Sequence, residues 1–334
     1  MFFLASSMSP YFNLGFFDFI KCFLIRMALF VKGFSLEGIA LDEIQIFALL
    51  GLAISSSLVG CFVVFKKMAM TANSLSHTLL LGLCVSFLLM AKRFDGSFLP
   101  ADFSFFLLSA VISSFCTLFL TEWLIRFFSV EKQAAIGLVF TFLFAIGIVL
   151  VSLFMKDRHL SVEALMGNIE VVQKKDLNII YGVLLVNIGC IVLFFKEYCL
   201  FAFDGFLAKM SGISTSFMRF LLCMQLSLTM MAAFRLVGVV LVLAFIVTPP
   251  LIARLFFHSV CKVLLYSCLI GCVISFVGVA LSRFFLSYYF TSLSTAGVIV
   301  TLMGISYAVA IVIKSLTRKK SLFKQLDQAP VKST

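Results

Sequence analysis

Ile44-Gln45-Ile46-Phe47-Ala48-Leu49-Leu50-Gly51-Leu52-Ala53-Ile54-Ser55-Ser56-Ser57-Leu58-Val59-Gly60-Cys61-Phe62-Val63-Val64-Phe65 runs for twenty-two residues without a charge. A helix rises about 1.5 Å per residue and the hydrocarbon core of a bilayer is about 30 Å thick, so about 20 such residues cross it. Oil offers the backbone no hydrogen bonds, and a helix pairs its own. The run predicts a membrane-spanning helix.

Working outward, Met68 to Met90, Phe103 to Leu120, Ala134 to Met155, Leu177 to Phe195, Val263 to Ser282 and Leu293 to Ile313 qualify in the same way. Phe220 to Ala253 is too long for one crossing and tight for two. It reads as a helical hairpin turning near Arg235, with its first arm starting around Ile213. The expected fold is all-α, a polytopic membrane protein with about nine transmembrane helices, the range being eight to ten. Composition agrees: 63% of the 334 residues are hydrophobic and 12% charged, which leaves too little polar surface to clothe a water-soluble globule.

The spans form one membrane domain over 44–313, between an N-terminal segment 1–43 and a short, basic, flexible tail 314–334. Within the first segment, Pro10 to Lys32 is rich in Phe yet carries Asp18, Lys21, Arg26 and Lys32, the pattern of an interfacial amphipathic helix. If it spans instead, the count becomes ten. The first ten residues lack a positive region, so no cleavable signal peptide is expected.

The formal charge of +11 gathers between apolar runs and forms no basic helix, which argues for loops at an anionic leaflet and against nucleic acid. Nine crossings put the two ends of the spanning region on opposite sides. With the C-terminus cytoplasmic, Lys66, Lys67, Arg126, Lys132, Lys196, Lys209, Arg219, Arg254, Lys262 and the tail lie inside, fifteen Lys and Arg against eight outside. That is the orientation the positive-inside bias selects. Ten Cys sit mainly inside apolar stretches without Cys-x-x-Cys pairing, and read as small apolar fillers.

His77 is the titratable residue of the second span, within Thr71-Ala72-Asn73-Ser74-Leu75-Ser76-His77-Thr78. At about 100° per residue, Asn73, Ser74 and His77 share a face, with Met70 two turns before His77. Such a face offers imidazole nitrogen, amide oxygen, hydroxyl and thioether to a passing ion; alternatively His77 is hydrogen-bonded between helices. Imidazole suits several metals and names none. Thr248-Pro249-Pro250 falls inside a span, where proline removes a donor and predicts a kink or break. With Gly238, Pro249 and Pro250 are candidate hinge positions, either fixed or moving. Between the fifth and sixth spans, Phe203, Phe206, Leu207 and Met210 recur at helical spacing and Gly212 is placed to end a short helix. That helix is an ordinary interfacial loop or a plug for a partner's groove. No Gly-x-x-x-x-Gly-Lys-Ser/Thr, Gly-x-Ser-x-Gly or His-Glu-x-x-His occurs, so the chain is expected to be no enzyme and to hold no ATP of its own.

Three stretches in order resemble the permeases of the zinc, manganese and iron class of ABC importers. Val59-Gly60-Cys61-Phe62-Val63-Val64-Phe65-Lys66-Lys67-Met68-Ala69 followed by Asn73-Ser74-Leu75-Ser76-His77 is similar to the family's Gly-x-Phe-hydrophobic-Arg-Arg-Met-Ala and Gly-Asp-Ala-Leu-Ser-His. Phe203-Asp204, Leu207-Ala208 and Gly212-Ile213 are similar to its cytoplasmic coupling segment, over 202–213. Leu236-Val237-Gly238-Val239-Val240-Leu241-Val242, running to Thr248-Pro249 and Ala253-Arg254-Leu255, resembles its Val-Gly-x-Leu-Leu to Thr-Pro-Ala-x-x-Ala-Arg-Leu signature. Ala135-Ile136-Gly137, Gly167-Asn168 and Asp176 are weaker matches.

The resemblance implies a type II importer permease in a bacterial cytoplasmic membrane, carrying a divalent metal ion and holding no permanent cofactor. Its implied partners are ABC ATPase subunits that bind ATP, an extracytoplasmic solute-binding protein, membrane lipid and a second permease chain. His77 and Asn73 become the metal-handling pair, and Phe203, Asp204, Leu207, Ala208 and Gly212 the contact with the ATPase. The family has Asp where Asn73 stands; the amide keeps an oxygen but loses the charge that attracts a dication. That departure implies pairing with a different permease that retains the aspartate, though two identical chains are the alternative. Competing readings are a secondary cation transporter or channel, with His77 relaying protons, and a permease for siderophores or vitamin B12.

Overall fold

The computed structural model describes residues 15–31, 40–93, 103–154, 172, 174–289 and 293–327, and among these every regular element is helical. In chain order they are α1 (Phe16–Val31), α2 (Leu41–Phe65), α3 (Ala69–Arg93), α4 (Phe103–Phe128), α5 (Lys132–Phe154), α6 (Lys174–Leu193), α7 (Phe195–Phe203), α8 (Gly205–Met210), α9 (Thr215–Val237), α10 (Val239–Phe256), α11 (Val260–Tyr289) and α12 (Thr295–Asp327). Among the described residues eight helices are long and apolar enough to cross a membrane: α2, α4, α5, α6 and α9 to α12. To these α3 adds a further 25-residue helix, whose first turns carry Thr71, Asn73, Ser74, Ser76, His77 and Thr78. The all-α polytopic fold and its span count therefore hold.

The apolar run that opened the argument is the axis of the molecule. Nineteen of the 25 residues of α2 are buried, and its neighbours are α11, α10, α6 and α9. Contacts fix which ends lie together. Asp42 and Gln45 at the start of α2 meet Arg283 near the end of α11, and Gln45 Nε2 donates to Thr295 Oγ1 at the start of α12 (3.2 Å). At the other end of α2, Cys61 Sγ lies 3.1 Å from Ser267 Oγ of α11, and the Phe62 and Tyr198 rings are 5.0 Å apart. Arg254, near the end of α10, sits over the Phe65 ring there.

A second unit stands beside this core. Helix α3 packs on α4 and α5 but touches α2 only slightly, and Leu81, Val139 and Leu143 form a small apolar cluster of their own. The unit is held to the core by α9. Ser114 of α4 donates to Ser227 Oγ (2.8 Å), and Arg219 of α9 pairs with Glu122 of α4.

The hairpin expected over 213–253 forms, but it reverses at Gly238, three residues beyond Arg235. Gly238 has φ +79°, a left-handed value that a side chain disfavours and glycine accepts. No break accompanies Pro249 and Pro250; α10 is helical from Val239 to Phe256. Pro250 has no N–H for the Ile246 carbonyl, and that oxygen points instead at Gly60, where a Cβ would overlap it. Only glycine lets the α2 backbone close on this freed carbonyl, with a Cα–H in place of the missing donor.

Two flanking regions add to the expectation. Helix α12 continues past Lys314 to Asp327, where a flexible tail was expected; Ser315 to Asp327 contains neither Pro nor Gly to end it. Helix α1 lies along α11, with Phe19 and Phe23 buried and the Phe23 ring 5.2 Å from Phe276. Its Arg26 pairs with Glu43 of α2.

Candidate metal-handling face and coupling segment

A polar residue on a membrane helix either bonds a neighbouring helix or waits for something else, and α3 has both kinds. Thr78 Oγ1 lies 2.9 Å from Thr117 Oγ1 of α4, and Ser76 Oγ donates back to the Asn73 carbonyl at 2.6 Å. Ser74 is buried, its hydroxyl without a partner among the described residues. The sequence put Ser74 on one face with Asn73 and His77; the structure turns Ser74 into the bundle and leaves Asn73 exposed. Adjacent residues lie about 100° apart, enough to separate a packed side from an open one.

The open strip is Met70, Asn73 and His77. Met70 is 61% exposed and His77 half-buried, its ring against Phe140 (5.2 Å) and Phe144 (5.4 Å) of α5. No described side chain hydrogen-bonds the imidazole, and among the described residues no three His, Cys, Asp or Glu side chains come together to hold a metal. The strip thus sets an imidazole, an amide and a thioether at one-turn intervals along one side of α3.

The coupling segment lies at the end of α2 that holds Phe65. Asp204 caps α8, its Oδ1 accepting from the N–H groups of Phe206 (2.9 Å) and Leu207 (3.1 Å). The helix closes at Gly212, with Ile213 N–H to Ala208 O (2.9 Å) and Gly212 N–H to Lys209 O (3.1 Å). This is the paired closure of a Schellman motif. Ala208 is fully buried beneath, while Phe203, Phe206, Leu207 and Met210 face outward. Three exposed large apolar side chains on a short capped helix, with Phe203 at the end of α7 beside them, suit a groove in another protein.

Sequence reasoning did not single out Asn187. It is buried in α6, and its Nδ2 donates to Ser55 Oγ (2.8 Å) of α2 and to Thr229 Oγ1 (2.7 Å) of α9. Next to it, Tyr198 OH donates to Gln225 Oε1 at 2.5 Å. Polar residues inside long apolar runs were the available signal. Of the weaker motif matches, Gly167-Asn168 lies outside the described residues.

Long apolar helices in a bundle, a polar strip open at its flank and a short capped helix at one end define a polytopic transport subunit. The chain belongs to the ABC 3 transport family, whose model matches residues 43–314, and is a metal-type ABC permease, a multi-pass protein of the bacterial inner membrane. It is 33% identical to a "Probable metal transport system membrane protein" of Chlamydia trachomatis over 97% of this chain and 100% of that one. It is also 33% identical to the manganese transport system membrane protein MntD of Bacillus subtilis, covering 77% of this chain and 86% of the relative. Among solved structures, PsaBC from Streptococcus pneumoniae in complex with Fab superposes with a TM-score of 0.69 at 26% identity, over 85% of this chain and 95% of that one.

Proposed function

We propose that the chain is one half of the passage of an ATP-driven manganese importer. The observation that carries this reading is the strip Met70-Asn73-His77, open on α3 and lacking the further ligands a dication needs. The names of the MntD relative and of the manganese import system permease ScaB of Streptococcus gordonii, 31% identical over 73% of this chain, favour manganese over zinc or iron. Manganese prefers oxygen donors with imidazole, so the missing ligands are best supplied by carboxylates. Asn73 cannot supply one, which supports pairing with a second, different permease chain across the strip, over a pair of identical chains.

In this reading α8 docks on an ATPase subunit through Phe206, Leu207 and Met210, with Phe203 beside it and Asp204, Ala208 and Gly212 shaping the helix. The end of the bundle bearing Lys66, Lys209, Arg219 and Arg254 is cytoplasmic, as the positive-inside bias favours, and α12 ends there. A solute-binding protein delivers the ion to the opposite end. ATP binding favours one of two packings, so the ion meets the strip from one side and leaves toward the other. Gly238, Pro249 and Pro250 are the hinge positions, with the Gly60 to Ile246 contact as the point about which α10 can pivot on α2.

The test is uptake of manganese by cells carrying His77→Ala. Uptake should fall about tenfold or more, as for loss of one ligand or its support, while the variant still co-purifies with its ATPase. Wild-type uptake in that variant would remove His77 from the pathway, and competition by zinc or iron would reveal a different cargo. Purification of a complex containing this permease alone would end the mixed-pair proposal.

A further inference from the structure

The α3 to α5 unit carries the metal-handling strip, yet α3 makes little contact with α2. Besides α9, which ties that unit to the core, a second and shorter link runs from the coupling segment to the start of α3. The chain between α2 and α3 is three residues long, Lys66, Lys67 and Met68, and it is closed by backbone hydrogen bonds. Lys66 N–H donates to Phe62 O (3.0 Å), Lys67 N–H to Val64 O (3.2 Å) and Met68 N–H to Val63 O (2.9 Å). Lys67 takes the left-handed conformation, φ +57°, that a side chain ordinarily avoids. Met68 O then accepts from Ala72 N–H at 3.1 Å, which makes the junction continuous with the turn that presents Asn73.

The Lys66 side chain leaves this junction and grips the other element. Its Nζ donates to the Phe201 carbonyl at 2.6 Å and sits 4.4 Å from the centre of the Phe201 ring. Phe201 is in the last turn of α7, three residues before the Asp204 cap of α8. Its neighbour Phe203 packs on Phe65 at 5.3 Å. A helix-terminal carbonyl lacks an intrahelical donor, and an ammonium is well suited to satisfy it. Partial burial, with Arg219 and Lys132 nearby, holds the ammonium below the usual lysine range, while the Asp204 carboxylate draws it back up.

We propose that Lys66 is the positioning residue that couples the ATPase-docking helix α8 to the metal-handling strip of α3, by fastening the end of α7 to the α2–α3 junction. The proposal rests on the permease reading above and adds to it the link between its two working parts. When α8 is displaced, the Phe201 carbonyl carries Lys66 with it, and the closed junction passes that displacement to the first turns of α3.

The test uses the full complex of permease and ATPase, reconstituted in vesicles with its binding protein, and reads manganese taken up per ATP hydrolysed. Lys66→Met should assemble normally and keep basal ATP hydrolysis, with uptake per ATP reduced about tenfold, the scale of one charge-assisted hydrogen bond. Lys66→Arg should restore the ratio, since a guanidinium can reach the same carbonyl. Lys262→Met, which removes an exposed lysine at the same end, should leave it unchanged. Where Lys66→Met fails to assemble, Lys66→Leu, which likewise has no donor, carries the same comparison with Lys66→Arg. A normal ratio in the neutral variants, or a loss that arginine does not repair, overturns the role of Lys66 while the permease reading stands. A wild-type complex that hydrolyses ATP without moving metal overturns both.

Discussion

The helices around α2 and the unit of α3, α4 and α5 are made of similar residues and built differently. In the first, polar side chains bond from helix to helix: Asn187 spans α6, α2 and α9 through Ser55 and Thr229, the carbonyl released by Pro250 is set against Gly60, and the groups without a partner among the described residues, such as Ser57 Oγ and Asn187 Oδ1, are buried. In the second, α3 ties Thr78 to α4 but leaves Asn73 and His77 unclaimed, over a much smaller apolar cluster. Polar groups bonded between helices act as glue, and exposed ones are accessible from outside the chain. The core joins its helices through polar bonds, and the unit beside it turns Asn73 outward.

Four measurements press on that contrast. The largest effect is expected from Gly60→Leu, because a backbone oxygen cannot step aside for the new side chain; it should cost more than about 3 kcal/mol. Folded protein should be lost from the membrane fraction by size-exclusion chromatography, and a well-folded variant would refute the close α2–α10 contact. Next, Asn187→Leu should lower stability by about 1–2 kcal/mol, read as a lower thermal midpoint in detergent, while uptake per folded molecule is kept. Equal damage to uptake would place Asn187 in the pathway and erase the distinction between the two regions. Amide hydrogen exchange should then show α3 and α5 opening at lower free energy than α2 and α9; uniform protection would make the two units one. The smallest effect is expected from Asn73→Asp. Restoring the carboxylate should lower the manganese concentration for half-maximal uptake by about 3-fold, with the thermal midpoint unmoved because the residue is exposed. No change in that concentration would mean the ion does not approach position 73.

Much of the fold could be read directly. Spans show in sequence because the hydrocarbon imposes a length and forbids charge, and each long run became a helix in order. The short helix between Asp204 and Gly212 was equally legible, since a cap, an apolar spacing and a terminating glycine are local signals. The hairpin turn expected near Arg235 falls at Gly238, where a positive φ is free of strain. The prolines were expected to kink or break α10; the helix is unbroken, and Gly60 accommodates the freed carbonyl.

Composition, run length and local chemistry thus determined by themselves that this chain lies in a membrane, roughly how often it crosses, and which short helix stands outside the bundle. Those are consequences of solvent and of residues near one another along the chain. Only the tertiary structure decided that Gly60 faces Ile246, that Ser74 is buried while Asn73 is open, and that Lys66 reaches Phe201. Each depends on which helix stands beside which, and apolar faces packed in oil carry little in their sequence to say so.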